Sequence, residues 1–168
     1  MERIKYLISS VLALWIIIGF TSLIQAQEVL IQRQLSLSLA EEAATAAIER
    51  CRADGFRVSV AVVDRSGSLK ALLRDDDAGP HTLDSSRRKA FTALSFRTGT
   101  TELVQLLATN PSAAGLVNIS NVLILGGGIP IRAGQEVIGA IGVGGAPGGD
   151  RDDICAQAGI DRIANRLK

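Results

Sequence analysis

The only histidine of this 168-residue sequence, His81, is the residue whose side chain is best suited to bind a metal. It follows Gly79 and Pro80, a pair typical of turns, and precedes a stretch with helical periodicity. We therefore expect His81 at the accessible start of a helix. A neutral imidazole in such a place can serve as an axial ligand for haem iron or another metal. The alternative is a surface or helix-capping histidine that binds no ligand.

The helix after His81, predicted for residues 82–97, contains two cations that could hold carboxylates. At 100° per residue, Arg87 falls in the middle of the apolar face, whose other members are Leu83, Ala90, Phe91 and Leu94. A buried guanidinium needs a carboxylate, a pocket or a subunit interface. Together with Lys89, which lies between the two faces, Arg87 could hold the propionates of haem or another small carboxylate. An internal or intersubunit ion pair explains the same residues equally well.

Other polar and glycine-rich motifs point away from further chemistry. The aspartates at 75–77 project in different directions without EF-hand spacing, so we expect a solvated loop there rather than a calcium site. Extended chain follows the glycines at 126–128, which excludes a P-loop or a dinucleotide fingerprint. Gly148 and Gly149 precede a helix, but the aspartates at 150, 152 and 153 would serve the backbone donors of an anion cradle there. No nucleophile elbow or paired-carboxylate motif supports a hydrolase.

The elements that must position these residues alternate between helices and hairpins. The predicted helices span about 38–53 after a capping box at Ser38–Glu41, 82–97, 100–110 and 151–167, the last with Asp150 as N-cap. The predicted strands are 56–64, 69–74, 122–125, 129–132 and 136–143. The order is α-β-β-α-α-β-β-β-α. Because hairpins rather than βαβ units connect the strands, we expect an α+β fold with a largely antiparallel sheet of about five strands covered by helices.

Residues 1–26 have the pattern of a signal peptide. Arg3 and Lys5 precede an apolar run from Tyr6 to Phe20, and Ala26 is a small residue at a plausible cleavage point. Cleavage would leave residues 27–168 as a single domain in the periplasm or outside the cell, without a membrane anchor. A retained anchor helix is the alternative, although the run is shorter than the ~20 residues that a membrane span needs.

Composition excludes several classes of partner. The chain has 18 Lys and Arg against 17 Asp and Glu, and removal of residues 1–26 leaves 16 of each. A neutral domain has no overall attraction to nucleic acid or anionic lipid. The single Trp and the single Tyr both lie in the leader, so no aromatic platform remains for stacking bases.

Three ordered motifs resemble those of a known family. They are Val60–Gly67, then Pro80-His81-Thr82 running into Arg88–Ala93, and finally Leu125–Ile131 with Val137–Ala158. From about residue 36 to residue 168 the chain resembles the GlcG/HbpS family of haem-binding or haem-degrading domains, also found at the C-terminus of PduO-type proteins. Gly144 departs from a frequent serine and Asp153 from a common glutamate.

The resemblance implies a profilin- or PAS-like sheet, haem as the cofactor, and His81, Thr82, Arg87 and Lys89 as its binding residues. His81 would be the iron ligand. Relatives often have cysteines where this chain has Cys51 and Cys155, and an even cysteine count in an exported protein favours a disulfide between them. Two buried free thiols are the alternative.

We therefore expect an exported binding protein for haem or a related tetrapyrrole, which assists haem uptake, sensing or degradation and forms a homo-oligomer. A second hypothesis is an enzyme or accessory protein that acts on a small carboxylate in glycolate-type or corrinoid metabolism. A third is an oligomeric scaffold without a ligand.

Overall fold

The computed structural model describes residues 29–168, so the predicted signal peptide lies outside the described residues. In this part of the chain no helix has the length and apolarity to cross a membrane. The helices are α1 (Leu37–Ala53), α2 (His81–Phe96), α3 (Thr100–Thr109) and α4 (Gly149–Ile163), with 3-10 helices at Pro111–Asn118 and Ala164–Arg166. The strands are β1 (Ser59–Asp64), β2 (Leu69–Arg74), β3 (Gly128–Ala133) and β4 (Glu136–Gly144).

The four strands form one antiparallel sheet in the order β2-β1-β4-β3. Alternate residues of β1 face opposite sides of the sheet, as the period of a strand requires. Val60 and Val62 pack with α1 and α4 in the larger core, whereas Ala61 and Val63 pack against Ala90 of α2 in a smaller one. The predicted α+β class is confirmed, with α2 packed on one face of the sheet and α1 and α4 on the other.

The sheet has four strands among the described residues, one fewer than expected, because the segment 122–125 is not a strand. Its backbone is bound by side chains of α2 instead of by another strand. Arg88 donates to the carbonyl of Val122 over 2.6 Å, and the N–H of Leu123 donates to Thr92 Oγ1 over 2.8 Å. A short apolar run thus meets its hydrogen-bonding needs without joining the sheet.

The N-caps of α1 and α4 each lie two residues before the predicted positions. Helix α1 begins after Ser36, whose hydroxyl accepts from the N–H of Leu39, so the capping box predicted at Ser38 does not form. Helix α4 begins after Gly148, which has a φ of 121°, and Asp150 lies inside the first turn. A positive φ is readily adopted by glycine, which explains why Gly148 rather than an aspartate precedes α4.

Asp75 also differs from expectation, because it is buried rather than solvated. Arg52 of α1 donates to Asp75 Oδ2 over 2.9 Å, and only 3% of Asp75 is exposed. This hydrogen bond holds the pKa of Asp75 below its ordinary value, against the opposing effect of burial. The loop that contains Asp75 is therefore held against α1 by the hydrogen bond from Arg52.

Cys51 and Cys155 form a disulfide that joins the end of α1 to α4. Both residues are fully buried, and their Cα atoms lie 5.5 Å apart. The bond closes a loop with a sequence separation of 104 and fixes the two helices on the same face of the sheet.

Reduction of this disulfide should lower the free energy of unfolding by about 2–5 kcal/mol, because the unfolded chain regains the entropy that the closed loop denies it. Urea unfolding with and without dithiothreitol measures the change, with the Cys51→Ala/Cys155→Ala double variant as a control that the reductant should not affect. An unchanged midpoint in the parent protein after complete reduction would contradict the structural role of the bond.

Candidate functional site

The face of α2 that packs on the sheet consists of small and polar side chains. Its buried members are Thr82, Ser86, Lys89, Ala90, Thr92 and Ala93. Close approach to the sheet explains this choice, since a Cβ at Gly142 of β4 would overlap the carbonyl oxygen of Ser86. The glycines of β4 thus let the helix backbone lie directly on the strand. The larger residues Leu83, Phe91 and Leu94 are only partly buried.

The predicted burial of Arg87 is therefore wrong. Its side chain is 35% exposed and donates to Asp84 Oδ1 over 3.0 Å and to Asn121 Oδ1 over 3.2 Å. The prediction assumed that the buried face of α2 carries the large hydrophobic residues. The face that packs on the sheet carries small ones instead. Arg87 is left on the surface with an exposed aspartate as its ionic partner.

Lys89 is the buried cation of α2. Its Nζ donates to Asp152 Oδ2 over 2.6 Å and to the carbonyl of Val143 over 2.9 Å, and the two side chains are 2% and 3% exposed. The other carboxylate oxygen of Asp152 accepts from the N–H of Ala146 over 3.1 Å. Lys89 therefore forms an internal ion pair, one of the two alternatives left open by the sequence, and has no free surface for a ligand carboxylate.

The ion pair occupies space that the missing side chain of Gly127 leaves free. A Cβ at Gly127 would lie 2.7 Å from the Cβ of Asp152 and 3.0 Å from Lys89 Nζ, and Gly127 has a φ of 115°. The N–H of Gly127 donates to Asp153 Oδ1 over 2.6 Å. The aspartates at 152 and 153 therefore accept from the N–H groups of Ala146 and Gly127, and not from those of Gly148 and Gly149 for which the sequence predicted them.

Loss of either partner of the pair should destabilise the fold by about 3–5 kcal/mol, since it leaves an uncompensated buried charge. We expect this for Lys89→Met and for Asp152→Leu, while the double variant should lose clearly less than the sum. Denaturant unfolding at pH 7 measures all four proteins. Additive losses would contradict the pairing.

The pH dependence of the Lys89→Met variant gives a second measure of the pair. Burial raises the pKa of Asp152 above its ordinary value of 3.8, although Lys89 opposes the shift. A carboxyl with a raised pKa in the folded state binds its proton more tightly there, so stability rises as the pH falls through that pKa. Without Lys89 the opposing effect is gone, and the deficit of Lys89→Met should shrink on acidification. A deficit independent of pH would contradict an ionised Asp152.

His81 is exposed and is the first residue of α2, as predicted. Its ring lies against Gly79, where a Cβ would come within 2.6 Å of Cε1 and 2.9 Å of Nδ1. Thr82, by contrast, is 1% exposed, and its Oγ1 lies 2.6 Å from the carbonyl of Gly79 and 2.7 Å from Ser59 Oγ. Thr82 thus fastens the turn that presents His81 and has no surface for ligand contact.

Arg88 shares the His81 side of the helix, a relation that the sequence interpretation missed. Seven residues separate the two, which is about two helical turns and about 10 Å along the axis. The side chain of Arg88 is 34% exposed, and Nη1 lies 3.6 Å from Asp84 Oδ2. The i, i+7 spacing of His81 and Arg88 in the sequence indicates that the two residues share one side of the helix.

A large cavity lies at the opposite end of α2, between the tips of the two hairpins. Its volume is about 880 Å³. Three arginines line it, Arg65, Arg97 and Arg132. The other lining residues are the apolar Phe91, Leu94 and Val137, the polar Ser66, Ser95, Gln135 and Glu136, and Gly67. We call this the arginine cavity. Thirteen residues of helix separate His81 from Leu94, about 20 Å, so the imidazole does not reach it.

In residues 29–168 no three His, Cys, Asp or Glu side chains converge in a possible metal site. A free metal ion therefore finds no set of three such side chains in this part of the chain. Haem iron differs, because the porphyrin supplies its equatorial nitrogens and the protein needs to add only an axial ligand.

Comparisons with known proteins identify the family to which this fold belongs. The model of the family described as "Haem degrading protein HbpS-like" matches residues 35–161. The chain belongs to the HbpS-like family. The crystal structure of a double mutant of HbpS from Streptomyces reticuli is 44% identical, covers 82% of this chain and 92% of its own, and superposes with a TM-score of 0.76.

Two other relatives extend the comparison. Protein GlcG of Escherichia coli K12 is 33% identical over 109 residues, which is 65% of this chain and 80% of GlcG. The crystal structure of a PduOC:haem complex is 28% identical, covers 78% of this chain and 96% of its own, and has a TM-score of 0.70. The predicted GlcG/HbpS resemblance is thereby confirmed.

Proposed function

We propose that the protein is an exported binding protein for haem or a related tetrapyrrole, with His81 as the axial ligand of the iron. The observation that carries the proposal is an exposed imidazole on the fold of an HbpS-like chain, the sole histidine of the sequence. The PduOC relative, which crystallised as a haem complex, supports it. Haem uptake, sensing and degradation are the roles that such binding would serve.

The residues around His81 fit an axial ligand. Its Nδ1 edge lies closer to Gly79 than Nε2 does, so Nε2 is the nitrogen directed away from the turn. The absence of a side chain at Gly79 gives the ring room, and the buried Thr82 holds the turn in place. Bound haem would supply the redox chemistry of its iron, while the chain would supply the nitrogen and its orientation.

Two accessible guanidinium groups lie within two turns of His81. Arg87 and Arg88 are each about one-third exposed, at 35% and 34%, and both have Asp84 as their ionic partner. Asp84 itself is 60% exposed, so these surface pairs contribute little to stability. A propionate can therefore take the place of Asp84 on either arginine and form a charge-assisted hydrogen bond. This assigns the ligand carboxylates to Arg87 and Arg88 and leaves Lys89 in its internal pair.

Export is supported by the leader pattern and by the disulfide. Cys51 and Cys155 are bonded, and such bonds persist in the periplasm or outside the cell.

Assembly into a homo-oligomer is supported by residues 103–131, which contain no charged side chain yet expose Val104, Leu106, Val117, Ile119 and Leu125. Exposed apolar side chains in an uncharged segment are suited to contact with a second copy of the chain.

Titration of the purified protein with hemin tests the proposal. We expect a Soret band that saturates at a defined stoichiometry. His81→Ala should shift the Soret position, because it changes the axial coordination of the iron. Arg87→Ala and Arg88→Ala should instead weaken affinity by about 1.5–3 kcal/mol and leave the spectrum nearly unchanged, because they remove a charge-assisted bond to the ligand without changing the coordination of the iron.

A matched control is Arg162→Ala, which removes an exposed arginine of α4 that lies 3.8 Å from Glu49. Its hemin affinity should equal that of the parent protein. An unchanged spectrum and affinity in His81→Ala would refute the ligand role of His81. Failure to saturate, or equal weakening by Arg162→Ala, would show unspecific adsorption of hemin and refute the function.

A further inference from the structure

The arginine cavity contains positive charge that the described residues do not neutralise. Of its three arginines, Arg65 forms an ion pair with Glu136. Within residues 29–168, neither Arg97 nor Arg132 has a carboxylate within salt-bridge distance. Two like charges that line one cavity repel each other, and an anion between them would relieve that repulsion.

The backbone at Arg97 is unusual for an arginine. Arg97 is the C-cap that follows the last residue of α2, with φ 55° and ψ 28°, the left-handed conformation. Helices often end in this conformation, but the position is usually occupied by glycine, which adopts it without steric cost. The presence of arginine here is not explained by the fold. It is explained if the guanidinium is needed at the cavity.

A second backbone irregularity, in the pairing of β3 with β4, lies at Arg132. The register between β3 and β4 shifts between Ile131 and Arg132. A bulge of this kind turns a side chain away from its regular direction and is common beside binding sites. Arg132 Nη2 donates to the carbonyl of Arg97 over 2.6 Å, so the left-handed turn also positions the second arginine.

The remaining walls define the class of ligand. Phe91, Leu94 and Val137 give the cavity an apolar side, while Ser66, Ser95 and Gln135 add hydrogen-bonding groups. We propose that the arginine cavity binds a dicarboxylate with an apolar body, held by Arg97 and Arg132 and independent of His81. The volume of about 880 Å³ is in the range of small-molecule sites. No histidine, cysteine or methionine lines the cavity, so its walls offer iron no axial ligand of these types.

This site goes beyond the proposed haem function and does not depend on it. Small organic dicarboxylates and iron-free tetrapyrroles share the required chemistry, two carboxylates on an apolar body. Calorimetric titration of the full chain with isophthalate, benzoate and protoporphyrin IX shows which of these two ligand classes binds.

We expect saturable binding of isophthalate, with benzoate roughly 10-fold weaker or more because it can form only one of the two charge-assisted pairs. Displacement of isophthalate by protoporphyrin IX would identify the tetrapyrrole as a ligand of the same cavity. Undiminished isophthalate binding in its presence would restrict the cavity to small dicarboxylates. Absence of saturable binding for both dianions would overturn the proposal.

Arg97→Gly separates binding from folding. Glycine favours the left-handed conformation, so the variant should unfold at the same temperature as the parent or a higher one. Its affinity for isophthalate should nevertheless fall roughly 10- to 100-fold, as should that of Arg132→Gln. Arg166→Ala, which removes a surface arginine paired with Glu42, is the control and should change nothing.

His81→Ala distinguishes this site from the haem site. We expect it to leave isophthalate affinity unchanged even if hemin binding is lost. Isophthalate affinity that is equal in the parent, Arg97→Gly and Arg132→Gln proteins would overturn the assignment of the cavity, whatever hemin does.

Discussion

The buried ion pair between Lys89 and Asp152 fixes the helix on which both candidate sites depend. Lys89 lies at the middle of α2, eight residues after His81 and eight before Arg97. Its ammonium joins this helix to the end of β4 and to the first turn of α4 through two hydrogen bonds. Because water is excluded from the pair, its partners tolerate little displacement. The two ends of α2 are thereby held in place against the turns and hairpin tips that complete each site.

The composition of the sheet follows from this close contact. Gly127 leaves space for the ion pair, and Gly142 lets the backbone of α2 lie on β4. Small residues then replace large hydrophobic ones on the buried face of the helix, and Ala90 and Ala93 are fully buried there. The disulfide fixes α1 and α4 on the other face of the sheet, so each face has its own restraint.

Local patterns in the sequence predict much of this fold. Alternation in β1 and the turns of both hairpins are short-range signals, and the predicted β2 has the observed bounds of Leu69–Arg74. Helical periodicity places Arg87 rather than Lys89 on the buried face, because it assumes that large apolar residues define that face. The partner of Lys89 is 63 residues away, which no local pattern can reveal. The segment 122–125 has the apolar pattern of a strand for a similar reason, since its partners Arg88 and Thr92 belong to a helix.

The two ends of α2 offer different chemistry to their ligands. At the start, an exposed imidazole, the proposed iron ligand, lies within two helical turns of Arg87 and Arg88. At the end, Arg97 and Arg132 line a cavity that has no histidine, cysteine or methionine. The position of bound iron therefore shows which end of α2 binds haem. Nuclear magnetic resonance of the ¹⁵N-labelled protein with less than one equivalent of ferric hemin locates it, because the paramagnetic iron broadens nearby amide signals. We expect the loss of signals from Gly79 to Ser85 while those of Arg65–Gly67 and Gln135–Val137 persist. Broadening centred on the hairpin tips, with the signals around His81 intact, would contradict the assignment of haem to His81.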